Sequence, residues 1–149
     1  MLLKDLCTLE AACCTRDMTI SEAARLMQQH HAGDLVIVDD PAERRRPAGM
    51  LTDRDIVVRV IAEGIDPHKA LVGDHMTSPA VVGSSREDVE AALERMHRHG
   101  VRRLPILDER ERLLGIVSLD DLLRLHTERA QDLLAIITKE QTRERRGPA

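Results

Sequence analysis

The chain repeats itself. Displaced by 69 residues, Met1 to Asp39 lies on Ala70 to Asp108 without a gap. Leu2 then falls on Leu71, Asp5 on Asp74, Thr8 on Thr77, Ala11 on Ala80 and Ala23 on Ala92. Met27 meets Met96, His30 meets His99, Leu35 meets Leu104, Ile37 meets Ile106 and Asp39 meets Asp108. The copies differ by three residues in a loop, after which Gly49-Met-Leu-Thr52-Asp-Arg-Asp55 lies on Gly115-Ile-Val-Ser118-Leu-Asp-Asp121. The period is too long for the common solenoids, and two copies make no array. Within 149 residues each copy alone would be a marginal domain, so the two must pack on each other. A polar motif placed identically in both copies points to a pair of pseudo-symmetric sites, and such sites bind.

Each copy has one grammar. A short helical turn (Leu2 to Cys7; Leu71 to Met76) precedes a small-residue strand (Ala11 to Cys14; Ala80 to Val82). A helix follows, carrying Ile20, Ala23, Ala24 and Met27, or Val89, Ala92, Leu93 and Met96, the stripe of an amphipathic helix on a sheet. The next strand is an unbroken apolar run, Leu35 to Val38 or Leu104 to Leu107, as expected of a strand covered on both faces. A polar loop follows, Asp39 to Pro47 or Asp108 to Arg112, the first bearing Arg44, Arg45 and Arg46 at a solvated tip. A third strand (Ala48 to Leu51; Leu113 to Val117) leads to a helix starting at Thr52 or Ser118. The expectation is an α/β fold of two β-α-β-β-α repeats related by a pseudo-two-fold axis, with an added C-terminal helix. The repeats occupy 1–66 and 67–126, and 127–149 holds that helix and a frayed tail from Thr142. Gly64, Pro67 and Gly73 mark the linker.

Composition excludes several functions. A formal charge of −4 gives no basic footprint for nucleic acid, and the absence of Phe, Tyr and Trp removes the rings on which single strands stack. No apolar run approaches a bilayer span and no signal peptide is seen, so a soluble cytoplasmic protein away from membranes is expected. Cys7, Cys13 and Cys14 are odd in number and crowded together, which fits buried thiols rather than a disulfide framework. His97 and His99, like His30 and His31, lack the i, i+4 spacing of a helical zinc site, so no metal is expected. No cysteine has an activating base in view, and no catalytic residue is expected.

Thr52-x-x-Asp55 and Ser118-x-x-Asp121 have the spacing of a capping box, in which the hydroxyl and the acid satisfy each other's backbone N–H groups. The same helix start offers N–H groups to a phosphate, and its acid can accept from ribose hydroxyls. Both readings stand together. The second copy adds Arg102 and Arg103, a guanidinium fork suited to phosphate, where the first has Gly33 and Asp34. Asp121 with Arg102 and Arg103 is therefore the favoured combination, while Asp34 would repel an anion from the first motif. Arg54 could compensate there, and Pro105 suggests an irregular strand open to a ligand.

The paired units resemble tandem cystathionine-β-synthase (CBS) domains, the Bateman module. The resemblance rests on Val72-Gly-Asp-His-Met-Thr77, on His99-Gly-Val-Arg-Arg-Leu-Pro-Ile-Leu-Asp108, and above all on the Gly49…Thr52-x-x-Asp55 and Gly115…Ser118-x-x-Asp121 motifs. It covers residues 1 to about 126. It implies a non-catalytic regulatory module binding AMP, ADP, ATP or adenosylmethionine between its halves, with no cofactor required and output through a regulated protein in trans. Its site residues would be Thr52, Arg54, Asp55, Thr77, Arg102, Arg103, Pro105, Ser118 and Asp121. The alternative is a ligand-free dimerisation or scaffolding module. Beyond the repeat, Leu123, Ala130, Leu133 and Ile137 form a stripe with no counterpart in the first copy, so a homodimer is expected.

Overall fold

In the computed structural model, which describes residues 1–43 and 45–147, both copies fold with the expected order of elements. The first comprises α1 (Leu3–Leu6), β1 (Cys13–Cys14), α2 (Ile20–His30), β2 (Asp34–Asp39), β3 (Arg46–Thr52) and α3 (Asp53–Asp55), which continues as a π-helical segment, Ile56–Ile61. The second comprises α4 (Val72–His75), β4 (Gly83–Ser84), α5 (Val89–His99), β5 (Arg103–Leu107), β6 (Leu113–Ser118) and α6 (Leu119–Arg146). Each copy makes its own three-stranded sheet, ordered β1-β2-β3 and β4-β5-β6. The first two strands are parallel in both, with Cys13 opposite Val36 and Gly83 opposite Ile106. β2 and β3 are antiparallel, with a bulge at Ile37/Val38. The described chain divides into two compact units, Met1–Val117 and the segment from Ser118 onward.

Local chemistry explains the central helices. The Thr19 hydroxyl accepts from the Glu22 N–H at 3.2 Å while Glu22 reaches back to the Thr19 N–H, a complete capping box. Asp88 does the same for the Ala91 N–H at 2.8 Å. Ile20, Ala23 and Met27 on α2, and Val89, Ala92 and Met96 on α5, are buried. Ala24 is exposed, so the apolar stripe is narrower than expected. Leu35 to Val38 are all buried, as a strand covered on both faces requires.

Three expectations change. The first strand of each copy is paired over two residues only, and in the second copy it lies at Gly83–Ser84 rather than at Ala80 to Val82. After Thr52 only one α-helical turn forms, and Ala62 and Ile65 then donate five residues back, to Val57 and Val60. The arginine-rich end is helical to Arg146, not frayed from Thr142; Pro148 and Ala149 lie outside the described residues. Arg45 and Arg46 are exposed at the loop, as expected of a solvated tip. Arg46 pairs with Glu111, and the Arg45 carbonyl accepts from the Leu113 N–H at 3.1 Å. Arg44 lies outside the described residues.

The tertiary arrangement exchanges the lead-in segments. Leu3 and Lys4 donate backbone hydrogen bonds to Glu87 and Ser85 of the second copy, at 2.9 and 3.1 Å. Reciprocally, Val72 and Gly73 donate to Met18 and Arg16 of the first, at 2.8 and 2.9 Å. Val72 is fully buried in the first copy's core with Ile20, Leu35, Ile37 and Val60. The sequence boundary at 66/67 separates the repeats along the chain, whereas in packing each opening turn lies on the other copy. Further on, Thr8 bridges to Ile116 and Thr77 to Met50.

Candidate functional site

Both helix starts carry the box that their spacing predicts. At the first, the Asp55 N–H donates to the Thr52 hydroxyl at 3.0 Å and the Thr52 N–H donates to Asp55 Oδ2 at 2.9 Å. At the second, the Asp121 N–H donates to Ser118 Oγ at 3.2 Å, and Asp121 Oδ2 accepts from the Ser118 N–H and hydroxyl at 2.8 and 2.9 Å. One oxygen of each acid is thus committed to the cap. Among the described residues Asp55 Oδ1 meets only Arg59, at 3.7 Å, and Asp121 Oδ1 only Arg124, at 3.8 Å. Each of these oxygens can still accept from a ligand hydroxyl.

Within the first unit the two copies enclose a cavity of about 280 Å³. Asp34, Met50, Thr52 and Asp55 come from the first copy; Thr77, Pro79, Ala80, Val81 and Gly100 to Arg103 come from the second. Aliphatic side chains, the capped helix start and two arginines all line it. The exchange of lead-in segments creates it. Thr77 and Met50 trade backbone hydrogen bonds of 3.0 and 2.8 Å, which brings the second copy's Thr77 to Val81 against the first copy's Thr52. Gly49 permits this crossing, because a Cβ there would lie 2.6 Å from the Thr77 carbonyl oxygen.

Arg102 and Arg103 differ in their surroundings. Arg103 Nε lies 3.1 Å from Asp34 Oδ2, and the Asp34 side chain is only 9% exposed. That oxygen is close enough for an ion pair but has no aligned hydrogen bond. Burial pushes the Asp34 carboxyl up, Arg103 pulls it down, and the nearby Asp53 pushes it up again; burial dominates. Arg102 is exposed at the cavity and takes no ion pair among the described residues. A second cavity, of about 490 Å³, is lined by Glu10, Ala11, Ala12, His30, Ala32, Asp34, Val36, Arg103 and Ile116. Under the 69-residue displacement Ala11 and Ala12 match Ala80 and Val81, Ala32 matches Val101, and Asp34 matches Arg103. The two cavities are therefore pseudo-symmetric, with the Asp34–Arg103 pair common to both.

Thr52, Asp55, Thr77, Arg102 and Arg103 thus share one cavity. The sequence reading joined these arginines to Asp121; the cavity that holds them contains Asp55. Asp34, read as repelling an anion, is instead tied to Arg103. Arg54 is exposed outside the cavity lining, and Pro105 is buried within β5. Ser118 and Asp121 cap α6 in the second unit. Sequence reasoning missed Met50, Pro79, Ala80, Val81, Gly100 and Val101. Their apolar or small character carries no chemical signal, although the repeat partners of all but Gly100 line the second cavity. None of the three cysteines forms a disulfide among the described residues, and burial, aided by Cys13, pushes the Cys14 thiol up to about 12. No cluster of three or more metal-ligating side chains occurs among the described residues, nor any helix long and apolar enough to cross a membrane.

Two α/β repeats that together line a cavity beside a capped helix start define a tandem α/β module. The chain belongs to the CBS domain family, whose model matches residues 3–62 and again 72–128. Among its relatives, the protein MK0525 of Methanopyrus kandleri is 36% identical over 72% of this chain. The match spans 53% of that protein, about half its length. The CBS domain-containing protein YhcV of Bacillus subtilis is 40% identical over 80% of this chain and 81% of its own. Among solved structures, the CBS domain pair of protein MJ0100, in complex with 5′-methylthioadenosine and S-adenosyl-L-methionine, superposes with a TM-score of 0.75. It is 25% identical and covers 87% of this chain and 98% of that one.

Proposed function

We propose that this CBS pair is a regulatory module that binds an adenine nucleotide or related adenosyl compound in the first cavity and signals to a regulated protein in trans. One observation carries the reading: Asp55, whose Oδ1 lies outside the cap, Arg102, which has no ion pair among the described residues, and aliphatic side chains meet in a single cavity. Asp55 accepts from the ribose hydroxyls, Arg102 receives the phosphate, and Met50, Val81 and Val101 hold the base in the absence of any aromatic ring. The adenosyl ligands of the MJ0100 pair support this ligand class. Binding that favours one arrangement of the two copies supplies the signal through its differential affinity.

A thermal-shift screen with AMP, ADP, ATP and adenosylmethionine, followed by calorimetric titration, tests the reading. Ligand at a hundredfold its dissociation constant adds about 2.7 kcal/mol of stability. Asp55→Ala removes a charged acceptor and is expected to weaken binding by about ten- to a hundredfold, more than Asp121→Ala does. Equal affinities for wild type and Asp55→Ala would refute the site.

Two exposed apolar rows favour a second role in assembly. On α6, Leu123, Leu133, Leu134, Ile136 and Ile137 are each at least half exposed. In the first unit, Val57, Val58 and Ile61 are exposed on the helix after Thr52. Uncovered rows of this size mark interfaces, and we assign them to a two-fold homodimer. Dimerisation alone, with both boxes serving only as caps, is the ligand-free alternative. Failure of every adenosyl ligand to shift the melting temperature would select it.

A further inference from the structure

The two pseudo-symmetric cavities share one ion pair. Resting on the nucleotide reading above, we propose that Asp34 and Arg103 make the cavities mutually exclusive for anionic ligands, so that the chain holds one phosphorylated nucleotide, in the first cavity, and leaves the second to an uncharged or cationic ligand. Asp34 and Arg103 line both cavities and lie 3.1 Å apart. What each cavity adds to them differs. The first contributes Arg102 together with Asp55; the second contributes Glu10, at the position that Pro79 takes in the first, together with the exposed His30.

Charge then decides the outcome. One guanidinium cannot neutralise a buried carboxylate and two phosphates together. A phosphate in the first cavity has Arg102 and draws on Arg103, which leaves Asp34 with less of its only ion-pair partner among the described residues. Asp34 is buried, Asp53 adds further negative charge nearby, and Oδ2 has no hydrogen bond to fall back on. The second cavity then faces its ligand with the Glu10 and Asp34 carboxylates and no arginine in its lining beyond the shared Arg103, whereas in the first Arg102 offsets Asp55. A second phosphate is repelled there, whereas a neutral nucleoside meets the apolar Ala11, Ala12 and Ile116 at no electrostatic cost.

Equilibrium dialysis of the full chain against ADP and adenosine tests this. Wild type is expected to take one ADP, with any second at least about a hundredfold weaker, and to take adenosine in addition once ADP is bound. Glu10→Gln combined with Asp34→Asn is expected to take two ADP, the second within about tenfold of the first. Asp34→Asn alone preserves the side-chain shape and should strengthen the second ADP by at least about tenfold, a check that survives misfolding of the double variant. Two ADP of similar affinity in wild type, or a single ADP in both folded variants, would overturn the shared-pair mechanism while leaving the nucleotide reading intact. Binding of neither ADP nor adenosine by any form would overturn both.

Discussion

Replacing Gly115 by alanine tests the exchange of lead-in segments on which the cavities depend. The added Cβ would lie 2.4 Å from the Thr8 carbonyl oxygen, 3.0 Å from the Thr8 carbonyl carbon and 3.2 Å from Leu9 Cα. Carbon–oxygen contacts settle at about 3.3 Å or beyond, so the crossing strand must retreat by about 1 Å. All three atoms belong to the backbone, and no rotamer change relieves the clash. The retreat loosens the paired hydrogen bonds between Thr8 and Ile116, now 2.9 and 3.0 Å. Overpacking of this kind costs about 1–3 kcal/mol, and each weakened hydrogen bond up to about 1 kcal/mol. The lower entropy of the unfolded alanine chain returns about 0.4–1 kcal/mol. At the middle of these ranges the net loss is about 2 kcal/mol, or about 4–8 °C in melting temperature for a chain of this size. Urea and thermal unfolding followed by circular dichroism, at one protein concentration, measure it. A loss below about 0.5 kcal/mol would refute the close crossing, because ordinary surface substitutions fall in that range.

Gly49→Ala meets the Thr77 oxygen at 2.6 Å and Met76 Sδ at 2.8 Å, so it is expected to lower stability and also to weaken nucleotide binding, since Thr77 lines the first cavity; unchanged calorimetric affinity would separate Thr77 from the site. Leu133→Asp with Ile137→Asp places two charges on the exposed row of α6 and should shift the protein toward monomer in sedimentation equilibrium, whereas a monomeric wild type at micromolar concentration would remove the dimer. Cys14 is 4% exposed and titrates at about 12, against about 9 when unfolded. Its raised pKa contributes stability that is complete below pH 9 and falls as pH rises toward 12, so wild type should lose stability more steeply than Cys14→Ala between pH 9 and 10. Parallel slopes in urea unfolding would count against the burial of this thiol.

The repeat, the order β-α-β-β-α and both capping boxes were legible along the chain because each is local. Amphipathic spacing over one helix and a hydroxyl three residues before an acid are settled by neighbours in sequence. Much of the site was not local. Arg102 and Arg103 invited pairing with Asp121 of their own repeat, yet the fold sets them in a cavity with Asp55 of the other. Asp34 looked hostile to an anion when read alone, and only its 3.1 Å approach to Arg103 changes its meaning. Small residues such as Ala80 and Val81 gave no chemical hint, since a cavity wall is defined by what stands opposite. By itself, then, the chain determined its elements, its pseudo-symmetry and its CBS character. Tertiary structure alone decided which repeat faces which motif, because the α1 and α4 turns are buried on the opposite copy, and hydrophobic burial does not depend on sequence order.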